Sequence, residues 1–476
     1  MKTLEEIFSQ DDTGKIVEDL KKKQVNVPAW NDLVKQYEPK YHAIMTDKKK
    51  YPDKPIMDEK DNILKYEQVT RVCIGLQKLS VRRMAEFMFT IPINPVCQDA
   101  KSDATAKKQF DAVKTVLKKN KWNTLNKTRC KIVSSECEQA TYWYVAGVVK
   151  ENGGSSGNGG SWGNRAELRL KYDLYSPSRG DELYPLFDDM GDMIAFSRQY
   201  EVENDKGKKD VFLDTWTADK HYLFKQTDGI WEITTEADNK LGKIPVVYSY
   251  RSEPIWADGD NGKVEQIEKL LSRNGDILDY HASPVLVIKG NLKGAPSKAE
   301  ANKVFTTPDS DGGAEYVSWT QSPESTRFQF ETLIRLFWSE MQLPDLSYEN
   351  VKGIGAQSGV ALKMLFSDAH LKCGDEWEIY EELIERELNV IKAYLSVVEG
   401  DAIKDLEIEP VMRPFIIDDE KANIEVLVTA NGGKPVVSQK QSVALAGLSD
   451  DTDADYLEIR AEYAADNDRD ALEPTY

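Results

Sequence analysis

Residues 353–372 read GIGAQSGVALKMLFSDAHLK. A loop punctuated by Gly353, Gly355 and Gly359 runs into an apolar helical pattern with Lys363 one turn in. Helix N-termini present unpaired N–H groups and a partial positive charge, so many phosphate sites begin this way. A dinucleotide fingerprint needs a buried strand in front of it, and a Walker A loop needs a lysine followed by serine or threonine. Neither condition is met. The preceding QLPDLSYENVK (342–352) is polar and broken by proline, GIGAQSG has the spacing G-x-G-x-x-x-G, and Met364 follows Lys363. GNLKG (290–294) and NGGK (431–434) also lack the Walker pattern. The stretch reads as a hinged loop anchored by an apolar helix, and it sets the reading of its surroundings.

Two helical patterns precede it. Val264, Ile267, Leu271 and Leu278 form one stripe over 262–282, which stops before Pro284. Ser322-Pro323 gives an N-cap with proline at N1 for a second helix, which carries Phe330, Leu333, Ile334, Phe337 and Trp338 to Met341. Between them, a strand at 285–289 and a later apolar segment, AEYVSWTQ, make a small α/β insertion, 284–320. Two helices that bracket an insertion can pair antiparallel with the insertion at their tip. The third helix is expected from about Ser358, with a bend or restart at Cys373-Gly374-Asp375, where Asp375 and Glu378 resemble a capping box. Trp377, Tyr380, Ile384, Leu388, Ile391, Leu395 and Val398 follow at helical spacing, the pattern of a packing face.

Farther out the character changes. Residues 1–135 read as mainly helical, with GLQKLSVRRMAEFMFTIPINPV (75–96) an amphipathic helix ending before Pro92. Lys101–Arg129 holds nine basic and two acidic residues, and admits two readings: a solvated helix face or a surface for an anionic partner. Residues 138–250 alternate aromatic and β-branched runs with turn clusters, as in an antiparallel meander. The insert NGGSSGNGGSWGN (152–164) reads as a hairpin tip or linker. LEIEPVMRPFII (406–417) reads as a strand pair or an extended return. Ser438-x-x-Gln441 opens a short helix ended by Gly447, and another is expected over about 453–465. From Asp450 to Tyr476 ten acidic residues meet two arginines.

Composition sets outer limits. The chain has 476 residues, is 40% hydrophobic with 10 Trp and 21 Tyr, and can bury a core spread over two to four units. A formal charge of −19 would repel a polyanion over most of the surface. That argues against a sequence-reading DNA binder, which carries a basic face. Cys73, Cys97, Cys130, Cys137 and Cys373 contain no CxxC pair, and four histidines are scattered, so no zinc framework is expected. The odd count favours free thiols. Met1–Gln10 is polar and no apolar run approaches a membrane span, so a soluble protein made in a cytoplasm is expected.

No catalytic set emerges. His42, His221, His281 and His370 lack motif context and G-x-S-x-G does not occur. His370 reads as a core or interface histidine. Asp188-Asp189, Asp258/Asp260 and Asp309/Asp311 read as turns rather than metal pairs. No enzyme, cofactor or metal is expected, and the chain reads as an assembly component. The competing readings are an enzyme, such as a metal-dependent nuclease or an ATPase, and a structural protein of another kind.

SGVALKMLFSDAHLK, behind its glycine-bearing loop and leading into a long helix, resembles the motif region of tailed-phage portal proteins of the siphovirus type. The likeness extends in order. PAWNDLVKQYEPKYHAI (28–44) resembles the family's N-terminal segment, and DMIAFSRQYEV through GKIPVVYSY its wing sheet. The helices at 262–282 and 322–341 resemble its stem with 284–320 as clip, and SQKQSVALAGLSDDTDADYLEIRAEY its crown. The resemblance covers most of 25–465; the insert 152–164 and the basic segment 101–129 depart from the family pattern.

The resemblance implies an α+β portal fold in a ring oligomer. Its parts would be a helical wing segment (1–135), a wing sheet (136–255), stem helix one (256–283) and the clip (284–320). Stem helix two (321–343), a tunnel loop (344–357), a long wing helix and return (358–430), and a crown with acidic tail (431–476) would follow. It implies a ring, usually of twelve, at one capsid vertex, through which double-stranded DNA is packaged and ejected. Implied partners are the terminase large subunit, a head–tail adaptor protein and major capsid or scaffolding proteins, with no membrane. Asn350, Lys352 and Gln357 become candidate DNA-facing groups, against the plain reading of a solvated loop. Gly353 and Gly355 become hinges, and Ser358, Gly359, Val360, Leu362 and Lys363 the start of the anchoring helix.

Overall fold

Thr3-x-x-Glu6 is a capping box: the Thr3 amide donates to Glu6 Oε2 (2.9 Å) and the Glu6 amide to Thr3 Oγ1 (3.3 Å). It starts α1 (Leu4–Phe8), and Asp12 caps α2 (Thr13–Leu20) through the Gly14 amide. These contacts come from a computed structural model. It describes residues 3–148, 167–204, 207–281, 285–289, 313–317, 323–345, 364, 366–399, 403, 405–415, 420–431, 437–446 and 452–470. The chain divides into two units, Met1–Leu343 with Leu371–Pro414, and Pro344–His370 with Phe415–Tyr476.

In the larger unit, α3 (Trp30–Tyr37) and α4 (Ala43–Thr46) lead to an exposed hairpin of β1 (Lys54–Met57) and β2 (Ile63–Glu67). Then come α5 (Leu76–Phe89), β3 (Asn94–Val96), α6 (Ala104–Lys119) and α7 (Trp122–Glu136). The single meander expected over 138–250 is two antiparallel sheets. The true meander is β6 (Glu182–Phe187), β7 (Met193–Glu203), β8 (Lys209–Thr217), β9 (Lys220–Thr227) and β10 (Ile230–Asp238), paired in sequence order. Asp228-Gly229, both at positive φ, make the two-residue turn joining β9 to β10.

β4 (Glu138–Val148) pairs instead with β5 (Glu167–Tyr175) and with β11 (Val246–Tyr250), which returns a hundred residues later in the register Val246↔Tyr142. That return separates the second sheet from the meander. Ala140, Tyr175, Val246 and Tyr248 of the smaller sheet share a core with Leu183 and Phe196 of the larger. Elsewhere on the meander, Leu213, Tyr222 and Phe224 pack beneath Ile7, Ile16, Val17 and Leu20 of the first two helices.

The two helices expected around the insertion are α8 (Asn261–His281) and α9 (Pro323–Glu340). They pack together, and β12 (Val285–Lys289) pairs antiparallel with β13 (Gly313–Val317) between them in sequence. The stripe assigned to the first helix is only partly buried. Val264 and Ile267 are in the core, Leu271 is half-buried and Leu278 is 53% exposed.

The long helix, α10 (Ser367–Glu399), runs unbroken through Cys373-Gly374-Asp375, against the expected restart. A mid-helix glycine costs about 1 kcal/mol relative to alanine. Cys373 is buried beside it, and Lys372 and Glu376 on either side are held in ion pairs with Asp258 and Arg251, contacts that hold the helix continuous. Of the expected packing stripe, Tyr380, Ile384, Leu388 and Ile391 are buried and Trp377 and Leu395 half-buried, while the Val398 side chain lies outside those described. LEIEPV is the extended return: β14 (Glu409–Val411) pairs with β3.

The smaller unit contains α11 (Glu420–Asn431), which the sequence reading missed, α12 (Gln439–Ala446) and α13 (Thr452–Asp470), longer than expected. Ser438 Oγ caps α12 by accepting from the Gln441 amide at 3.1 Å. His370 is half-buried, with Nε2 3.4 Å from the Phe415 carbonyl.

Candidate functional site

The loop residues Asn350, Lys352, Gly353, Gly355 and Gln357 lie outside the described residues, as do Ser358, Gly359, Val360, Leu362 and Lys363. The insert 152–164 and Asp309/Asp311 fall outside them too. What the structure does describe is the root of the helix pair and the way the opening stretch's last lysine is tied to it.

Gly259 sits where α8 begins, so close to α9 that a Cβ there would come within 2.6 Å of Phe337 and 2.8 Å of Met341. Asp260 follows at positive φ and receives the Gly262 amide at 2.8 Å, which starts the helix. Both members of the Asp258/Asp260 pair therefore serve structure. Lys263 bridges the two helices to Glu340, and that bond raises its pKa above the usual lysine value. Lys372, buried on α10, reaches Asp258 Oδ2 at 2.5 Å. Arg251 adds a bidentate pair to Glu376 one turn on, at 2.9 and 3.1 Å. The long helix is thus clamped by Lys372 to the root of the pair and by Arg251 to the end of β11.

Along its other side α8 carries Glu268, Ser272 and Asp276, one per turn. The segment 70–74 runs beside them and has no strand partner among the described residues. The Thr70 amide donates to Asp276 Oδ1 (2.7 Å), Val72 to Ser272 Oγ (2.9 Å) and Ile74 to Glu268 Oε1 (2.9 Å). The match is metric: alternate residues of extended chain advance about 6.6 Å, and i to i+4 on a helix about 6 Å. Gly275 makes the approach possible, because a Cβ there would lie 2.7 Å from Thr70 Cγ2. The sequence reading took only the apolar stripe of this helix; the polar one beside it was the available signal.

His42 completes the support. Its Nδ1 lies 2.6 Å from Glu268 Oε1, both side chains being buried, and its Nε2 2.7 Å from the Gln36 carbonyl. Both partners are acceptors, so only the imidazolium satisfies them together. Burial by itself pulls the His42 pKa down; the Glu268 hydrogen bond and charge outweigh it and raise it above 6.5. Asp276 shows the reverse balance. Burial pushes it up, and the Thr70 amide and Lys54, at 3.1 Å, bring it below the usual carboxylate value.

A second anchor lies deeper. Glu387 of α10 is fully buried and accepts from four donors: Arg129 Nη1 (2.7 Å) and Nη2 (3.0 Å), Trp122 Nε1 (2.6 Å) and Trp143 Nε1 (3.0 Å). It joins the helix to α7 and β4. Arg129, counted in the basic segment, is therefore an internal residue. The exposed cations of that segment are Lys101, Lys107, Lys108, Lys114, Lys118, Lys119 and Lys121.

These features hold helices in register; they form no reaction centre. The five cysteines are free thiols, and burial pushes Cys130, Cys137 and Cys373 up to about 12, far from reactivity. Among the described residues, no group of three or more His, Cys, Asp or Glu is placed to hold a metal. Among them too, no helix is long and apolar enough to cross a membrane.

The family model described as "Phage portal protein, SPP1 Gp6-like" matches residues 20–469. The chain belongs to this portal family. Membership identifies it as a structural component of a phage virion and implies an oligomeric ring in the phage head. Among solved structures, a chain titled "Neck of empty GTA particle computed with C6 symmetry" is similar, with 13% identity and a TM-score of 0.39. The match covers 78% of this portal chain and 89% of that one. No curated protein matches.

Proposed function

We propose that this portal protein forms a ring of twelve at one vertex of the capsid. Double-stranded DNA passes through its channel during packaging and ejection. In this reading 256–283 and 321–343 are the stem, 284–320 the clip, 136–255 the wing sheet and 431–476 the crown. The terminase large subunit and then the head–tail adaptor dock on the clip side, and capsid or scaffolding proteins surround the wing. The tunnel loop, 344–357, offers Lys352, Asn350 and Gln357 to the DNA, with Gly353 and Gly355 as hinges.

The supporting observation is the helix pair with its β12–β13 ribbon, inside a family match that spans nearly the whole chain. Toward the ribbon the pair leaves Leu278 and Phe328 exposed, 53% and 67%, while Phe337 and Met341 at its root are buried. Apolar side chains left uncovered on a clamped helix pair suit a surface completed by a neighbouring subunit. A chain of charge −19 also suits a channel that must not grip its cargo, since each neutralised phosphate adds salt-dependent affinity.

Negative-stain microscopy of the purified chain tests the proposal. Rings of about twelve subunits with an axial hole are expected; monomers or sheets overturn it. Lys352→Glu should spare the rings and change packaging or ejection. If that variant forms no rings, the loop is structural and its assignment to DNA is wrong.

A further inference from the structure

One concavity in the larger unit has no part in the anchoring described above. It measures about 880 Å³ and lies between the C-terminal half of α6, β4 and β5, the loop after β10, and the C-terminal turns of α10. Each wall is pinned. Asn120 Nδ2 donates to the Leu170 carbonyl at 3.0 Å, and Tyr394 Oη to the Trp143 carbonyl at 2.8 Å. Asn239 Nδ2 donates to the Thr217 and Lys243 carbonyls, both at 2.8 Å. The cavity is therefore preformed.

The half-buried part of its lining is apolar, with Val116, Leu170, Trp216, Leu241 and Leu395, whereas its cations are exposed. Val145 and Val397 line it too and are exposed, 43% and 64%. Lys119, Arg169, Lys171 and Lys240 stand around it, against a single lining carboxylate, Asp238. Lys107, Lys108, Lys118 and Lys121 extend the positive field along α6 and its end. Among the described residues, no carboxylate pairs with Lys119, Lys171 or Lys240. On a chain of charge −19, a basic face around an apolar hollow is a local inversion of the surface.

We propose that this hollow is a docking site for an acidic peptide segment of a partner protein, with a bulky apolar side chain filling its centre. A duplex would use the lysines but has no group for the hollow, because its contacts run along phosphates. An acidic segment with an apolar anchor uses both, and 880 Å³ accommodates such an anchor with its neighbours. The inference rests on this cavity and its charge, independently of the channel reading.

The test is fluorescence anisotropy on the full-length chain at low ionic strength. The probe is a labelled amphipathic peptide of about 18 residues built from Glu and Leu with one central Trp. Comparators are the same peptide with Lys for Glu, oligo-glutamate, and a DNA duplex of about 20 base pairs. The Glu–Leu–Trp peptide should bind, oligo-glutamate at least about fivefold more weakly, and the Lys peptide not at all. Lys119→Glu/Lys171→Glu/Lys240→Glu should weaken binding by about tenfold or more. Val397→Glu, at an exposed position that folding tolerates, should weaken it by about fivefold with an unchanged thermal midpoint. Equal binding of the peptide by the triple variant overturns the proposal. So does tighter binding of the duplex that the same triple variant abolishes, which would make the face a polyanion surface.

Discussion

Replacing Glu387 by Gln keeps the shape of the side chain and removes its charge. Arg129, 1% exposed, then has no counter-ion, and one of the two indole N–H groups meets an amide NH₂ instead of an acceptor. Removing one partner of a buried ion pair costs about 3–5 kcal/mol. The unit containing Glu387 has roughly 390 residues, so at about 2.1 cal/mol/K per residue its unfolding entropy is about 0.8 kcal/mol/K. The predicted fall in melting temperature is thus about 5 °C. Differential scanning calorimetry gives the midpoint, and tryptophan fluorescence reports locally, since Trp122 and Trp143 both donate to this carboxylate. Glu378→Gln, exposed on the same helix, is the control. Glu387→Leu with Arg129→Met removes the orphaned charge but leaves the Trp122 and Trp143 indoles without their acceptor, so it should recover only part of the loss. If Glu387→Gln melts within about 1 °C of the control, the network does not anchor the helix and the reasoning fails.

Two further outcomes concern the strap on α8. His42 has a folded pKa raised above 6.5, so the stability it contributes is fully present below 6.5 and is lost as pH rises through the raised value. The melting temperature should therefore decline on the alkaline side of 6.5, and His42→Asn should flatten that decline; parallel curves for the two proteins would refute it. Gly275→Ala gains about 1 kcal/mol of helix propensity, but its Cβ meets Thr70 Cγ2 at 2.7 Å, and overpacking costs about 1–3 kcal/mol. A net loss is expected, reversed when Thr70→Ser removes the methyl, with thermal midpoints as the readout; a gain from Gly275→Ala alone would show that the strap yields freely.

The helix pair was legible almost to the residue because each element announces itself locally. α9 begins at Pro323, the proline that marked its first turn in the sequence, and Pro284 follows the end of α8 closely in the chain. Family kinship was legible from SGVALK in its place and from the order of the segments around it, and the family match over 20–469 bears it out. The capping signal at Asp375-x-x-Glu378 misled, because a sequence motif does not reveal that the residues beside it are buried and the helix held continuous. α11 was missed although it contains EKANIEVLVTAN, since its apolar residues make no clear stripe.

The sequence by itself determined the local grammar: caps, turns such as Asp228-Gly229, the period of each apolar stripe and the acidic balance of the surface. Only the tertiary structure decided which groups those elements share. Glu387 finds Arg129 258 positions away, and Ile74 finds Glu268 194 positions away. Arg129 looked like one more surface cation and Glu268 like one more helix carboxylate. A side chain's period reports which face it is on, whereas its partner depends on how that face is brought against another. Pairings at such separations are fixed by packing and by the need to satisfy every buried charge, so they leave no local trace in the chain.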